Sequence, residues 1–108
     1  MTHTHEQIRL VAKPRVVFCG DVKCYGDLEL GDGVNVLGNI FADGDVTIGR
    51  TCWIAGSIFA QGRVTIGEGT RIGGRDAEKT IVGKKAVLLG RAVEIFGGVS
   101  TEGSGTAP

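Results

Sequence analysis

Residues 34–51 and 52–69 read VNVLGNIFADGDVTIGRT and CWIAGSIFAQGRVTIGEG, two blocks of 18 residues that overlay without a gap. Gly38 falls on Gly56, Gly44 on Gly62 and Gly49 on Gly67. The apolar residues coincide as well: Val34/Val36 with Cys52/Ile54, Ile40/Ala42 with Ile58/Ala60, and Val46/Ile48 with Val64/Ile66. A spacing of two within each pair marks a short strand with one buried face, and its recurrence every six residues puts three such strands in each block. Three strands, three corners and an 18-residue repeat predict one turn of a triangular parallel β-helix whose turns stack at about 4.8 Å.

The same register extends outward. VVFCGDVKCYGDLELGDG from Val16 supplies a further full copy, with Val16/Phe18, Val22/Cys24 and Leu28/Leu30 as its inward pairs. Going back another strand puts Leu10 and Ala12 in third-strand columns, so the solenoid is expected to begin with a partial coil at Gln7, after a polar tail over residues 1–6. Toward the other end, TRIGGRDAEKTIVGKK from Thr70 reads as a fourth copy shortened by two residues between Gly74 and Gly83, and a fifth begins at Ala86 with AVLLG and fades after Phe96. The expected organisation is a single all-β domain, a β-helix core over 7–96, followed by a flexible Gly/Ser/Thr-rich tail over 97–108.

Composition agrees with a solenoid. The chain has 108 residues with 19 Gly and only 2 Pro, which excludes collagen, with its abundant Pro, and argues against a helical bundle, where each interior Gly would cost about 1 kcal/mol. Twelve Lys and Arg balance twelve Asp and Glu, so no long-range field draws in nucleic acid. Neither a membrane-length apolar run nor a signal-like start is present, and the expectation is a cytoplasmic protein with no integral membrane segment and little reason for peripheral attachment. Cys19, Cys24 and Cys52 lack zinc-site spacing and are expected to be reduced thiols.

The outward residues suggest contacts. The first side is expected to carry an apolar stripe of Leu37, Trp53, Val87 and Leu89, and the second side a ladder of Phe41 over Phe59; both are candidates for lateral interaction. Each end of a β-helix exposes unpaired strand edges that can template another chain. Leu10 and Ala12 at one end, and Leu88 and Phe96 at the other, are the candidate end-to-end contacts.

Residues 16–75, and more weakly 76–96, resemble the core of the bactofilins, polymer-forming cytoskeletal proteins whose repeats look like G-(D/N/S)-I-x-A-x-G-x-V-x-I-G. Gly20-Asp21-Val22, Gly38-Asn39-Ile40 and Gly56-Ser57-Ile58 carry the resemblance, with Val46-Thr47-Ile48-Gly49 and Val64-Thr65-Ile66-Gly67 following. It implies a right-handed β-helix whose subunits join end to end into non-polar, nucleotide-independent filaments of the cytoskeleton, with no cofactor, the chain itself as principal partner and other cytoskeletal or envelope proteins as further candidates. It also singles out Phe96, the nearest candidate for a terminal-coil phenylalanine at polymer contacts. The alternative is a left-handed hexapeptide-repeat fold, trimeric, as in acyltransferases and γ-type carbonic anhydrases, since Ile48-Gly49-x-x-Cys52 and Ile54-Ala55-x-x-Ile58 also fit that rhythm. Those enzymes place histidines on their coils for metal binding or general-base chemistry. Here the two histidines are His3 and His5, in the polar tail, and Asp76, Glu78 and Lys79 in the irregular fourth copy come with no partner base or nucleophile. The sequence is therefore read as a structural protein, with no catalytic or metal-binding residues.

Overall fold

The computed structural model describes residues 9–74 and 79–101. The polar start (1–8), residues 75–78 with Asp76 and Glu78, and residues 102–108 lie outside the described residues. The chain runs through fifteen strands: β1 (Arg9–Ala12), β2 (Val17–Phe18), β3 (Val22–Cys24), β4 (Asp27–Leu30), β5 (Asn35–Val36), β6 (Ile40–Ala42), β7 (Val46–Ile48), β8 (Trp53–Ile54), β9 (Ile58–Ala60), β10 (Arg63–Ile66), β11 (Arg71–Ile72), β12 (Lys79–Gly83), β13 (Ala86–Leu89), β14 (Glu94–Ile95) and β15 (Gly97–Ser100). Every pairing is parallel, and every third strand joins the same sheet. Three five-stranded sheets result, ordered β2-β5-β8-β11-β14 on the first side, β3-β6-β9-β12-β15 on the second and β1-β4-β7-β10-β13 on the third. This is a β-solenoid of about five turns.

The inward columns are the ones the spacing predicts. From Val22 to Ile66 all the paired apolar residues are buried, Val34, Val36, Ile40, Val46, Ile54, Ile58 and Val64 completely, while Val16 and Phe18 at the first full coil pack against them half-buried. Full burial of a Val or Ile side chain stabilises the fold by roughly 1.5–3 kcal/mol, so the core is an axial stack of such contributions. Among the described residues Thr70 is the one buried polar residue in the core; its hydroxyl donates to Gly49 O at 2.9 Å and accepts from Cys52 N at 3.2 Å.

Corners are held by side chains that stand in for backbone. Asp21 Oδ1 accepts the N–H of Asn39 at 2.8 Å, and Asn39 Oδ1 in turn accepts that of Ser57 at 2.7 Å. At the second corner Asp27 Oδ1 takes the N–H of Asp45 and Asp45 Oδ1 that of Arg63, both at 2.8 Å; at the third, Asp32 Oδ1 takes that of Arg50 at 2.9 Å. The glycines beside these acceptors are required by proximity. A Cβ at Gly38 would sit 2.5 Å from Asp21 Oδ1 and 2.6 Å from Gly20 C, and one at Gly49 2.6 Å from Asp32 Oδ1. A column of left-handed residues lies elsewhere, Arg15, Gly33, Thr51, Gly69 and Ala92, with φ of 64°, 70°, 51°, 74° and 56°; Gly73 and Gly97, at 78° and 143°, are positive outside it.

The fourth coil corrects the expected register. Residues in neighbouring coils are 18 apart up to β11, 23 apart where the pair spans the segment between β11 and β12, as in Ser57 with Thr80 and Arg71 with Glu94, and 18 apart again between β12 and β15. The coil is thus longer by five residues, where a shortening by two was expected, and the extra length enters between β11 and β12. Three assignments move with it. Val87 pairs with Val64 and is buried in the core, so it does not belong to a first-side stripe. Leu89 pairs with Ile66 on the third side. Gly97–Ser100, expected as tail, form β15 against β12, extending the solenoid past Phe96.

Because a Cβ at Gly20 would meet nothing within 4 Å, Gly20→Ala is expected to leave stability unchanged or raise it by up to about 1 kcal/mol. Gly38→Ala, in the same column one coil on, should cost about 1–3 kcal/mol by overpacking. Urea-unfolding midpoints of the two variants check the contrast; equal shifts would remove coil-to-coil proximity as the reason for the glycine column.

Candidate functional site

Exposure within an inward column identifies an open end of the core. At the N-terminal end Leu10 stands in register with Leu28 yet is 39% exposed, whereas Ala12, in register with Leu30, is buried. At the C-terminal end Leu89 and Val99 occupy the columns of Ile66 and Ile81 and are 37% and 40% exposed. Val93 and Ile95 are half-buried beside them. Among the described residues β1, β2 and β3 are the last strands of their sheets at one end and β13, β14 and β15 at the other. Each end therefore combines apolar side chains with unpaired strand edges, the two ingredients of strand addition.

The candidate end residues divide. Leu10 and Ala12 are on the end coil, as expected. Leu88 is exposed but pairs with Thr65 in an outward column, so it borders the C-terminal end from the third side. Phe96 is half-buried on the first side, its N–H donated to Ile72 O at 2.9 Å. Leu89, Val93, Ile95 and Val99 form the open core there, and sequence reasoning missed them as end residues because the register had slipped.

The first side carries two outward columns: Val17, Asn35, Trp53, Arg71 and Glu94, and beside it Cys19, Leu37, Ala55, Gly73 and Phe96. Leu37 and Trp53 are exposed on it as expected, and Val17 and Phe96 take the places assigned to Val87 and Leu89. Arg71 reaches the Glu94 carboxylate through Nη2 at 3.0 Å and Nε at 3.3 Å; both side chains are more than half exposed, so the pair contributes at most about 1 kcal/mol. Trp53, Gly73, Gly74 and Phe96 surround this pair in an open groove of about 510 Å³. Among the described residues the groove presents an internally compensated ion pair and two aromatic rings.

On the second side Phe41 and Phe59 stack with ring centroids 5.3 Å apart and planes 11° from parallel. Lys23 Nζ lies 6.0 Å from the Phe41 centroid, one coil earlier. Val82 continues the column after Phe59. The thiols sort by side: Cys19 is exposed, whereas Cys24 donates to Asp27 O and Cys52 to Gly31 O, each at 3.2 Å. Burial pushes the Cys52 thiol above its ordinary value of 9.0.

No family model, curated protein or solved structure matches the chain.

Native protein is expected to release one fast thiol equivalent to an aromatic disulfide reagent, from Cys19, and two more only on unfolding. Because the folded pKa of Cys52 is raised, the unfolded thiol ionises first as pH climbs, so its contribution to stability is complete below the unfolded value and is lost above it. Unfolding midpoints at pH 7 and pH 10, wild type against Cys52→Ala, check the sign: the alkaline loss should be smaller in the variant.

Proposed function

We propose that the protein is a structural, self-assembling subunit that forms nucleotide-independent filaments by stacking β-solenoids end to end, a cytoplasmic scaffold of the bactofilin kind. The observation that carries this reading is the pair of open ends, where Leu10 at one and Leu89 and Val99 at the other stand in core columns with no further coil over them among the described residues. Stacking a second subunit there buries those side chains and pairs the free strand edges in a single step, so the interaction that builds the coil also builds the polymer. The bactofilin-like repeats support the reading, and no nucleotide or other cofactor enters it. The chain itself is the principal partner; the first-side stripe of Leu37 and Trp53 with Val17 and Phe96 is a surface for a further protein.

Negative-stain electron microscopy of purified protein without nucleotide is expected to show filaments; discrete trimers would instead favour the hexapeptide-enzyme architecture. Charged substitutions at one end then report polarity. If like ends join, as the bactofilin resemblance implies, Leu10→Lys alone should leave dimers held by the free C-terminal ends, Val99→Lys alone dimers held by the N-terminal ends, and the double variant monomers, all with unchanged circular dichroism. Monomers from either single variant would indicate head-to-tail joining, and unaltered filaments from the double variant would overturn end stacking.

A further inference from the structure

The two ends of the rod are unequally finished. At the C-terminal end Leu89 and Val99 stand in core columns yet are more than a third exposed, and Val93 and Ile95 beside them are half-buried. Thr101 follows Ser100, the partner of Val82, and so stands in the inward column of Gly83; its hydroxyl oxygen is enclosed yet without a hydrogen-bond partner. At the N-terminal end Leu10 is exposed and Val16 and Phe18 are half-buried, but Ala12, Val22 and Cys24 are already buried within the subunit. Charge divides the ends as well. Lys13 and Arg15 are both exposed, with no acidic residue between Leu10 and Phe18, whereas on 86–101 Arg91 is balanced by Glu94.

We propose that assembly is ordered: two copies first join through their C-terminal ends, about a two-fold axis perpendicular to the rod, and these dimers then add to one another through their N-terminal ends. The inference rests on the end-stacking reading above and adds which ends meet and in what sequence. Three joints can be built from two kinds of end. A single joint between C-terminal ends covers two unfinished cores, a mixed joint covers one, and a joint between N-terminal ends covers the least apolar surface. Where concentration allows only one joint, the first is therefore favoured. The two-fold presents the free strand edges of the copies to each other in antiparallel sense, a pairing that backbone hydrogen bonds accept. Joining N-terminal ends instead gathers Lys13 and Arg15 from two copies, a like-charge contact that weakens the joint and is screened by salt.

The difference is large enough to read. Val99 is 40% exposed on each copy, so two copies together offer roughly 100 Å² of apolar surface with no counterpart at the N-terminal ends. At ~25 cal/mol per Å² this corresponds to more than tenfold in dissociation constant.

Sedimentation equilibrium of Leu10→Lys and Val99→Lys proteins tests the order, since each variant keeps one kind of end free. The Leu10→Lys dimer, held by C-terminal ends, is expected to dissociate at a concentration at least about tenfold lower than the Val99→Lys dimer at low ionic strength, with the gap narrowing as salt is added. Unsubstituted filaments give a second readout that needs no variant to fold: on dilution they should pass through even-numbered species and end at the dimer. Equal or inverted dissociation constants, or odd and even species in equal measure, would overturn the order of joining and leave end stacking intact. Monomers from both single variants would overturn it as well, in favour of head-to-tail joints. Filaments that survive in the Leu10→Lys/Val99→Lys double variant would remove end stacking itself and this inference with it.

Discussion

Each coil lies one hydrogen bond away from the next, and this spacing dictates most of what the sequence must do. At the corners the backbone cannot satisfy every N–H by itself, so Asp21, Asn39, Asp27, Asp45 and Asp32 lend a side-chain oxygen to the coil that follows. The residue beside each recipient N–H must then be glycine, because the oxygen and the preceding corner occupy the space a Cβ would need. An unmade bond at such a corner costs about 1–3 kcal/mol when the donor is left buried. The glycine excess and the acidic residues therefore answer one geometric demand together.

The same dependence on a neighbouring coil makes the termini of the rod unlike its middle. An internal coil has its apolar columns continued above and below; among the described residues the end coils have Leu10, Leu89 and Val99 continued on one side only. On the proposed reading, a second subunit would supply what the end coils lack.

Legibility from sequence tracked how tightly each feature is constrained. All nine inward pairs between Val16 and Ile66 were readable, because a buried strand face admits little besides Val, Ile, Leu, Ala or Cys. Beyond Ile72 the alignment of Gly74 and Gly83 on the glycine columns misled: Gly83 stands in the register of Ala60, an inward position. The apolar beat held the better signal. Ile81, Val87, Val93 and Val99 recur every six residues, and following them would have placed Val87 in the core, Leu89 at the open end and β15 within the solenoid. Core packing persists through every coil, whereas a corner glycine is needed only where a neighbouring corner presses on it. The corner oxygens were visible as the D, N or S after each glycine, but nothing in the sequence told which N–H they serve. The left-handed column was hidden for the opposite reason, since Arg15, Thr51 and Ala92 occupy it as well as Gly33 and Gly69.

The long fourth coil shows that circumference and axial rise are independent variables in this architecture. Five additional residues enter between β11 and β12, yet Arg71 still pairs with Trp53, Ile81 with Ile58 and Val87 with Val64. Chain length added at a corner widens the perimeter without changing the subunit's contribution to contour length. A rod of this type can acquire a new surface feature at a single corner and keep its axial rise and core register, so chains with and without the added segment would be isometric along the axis.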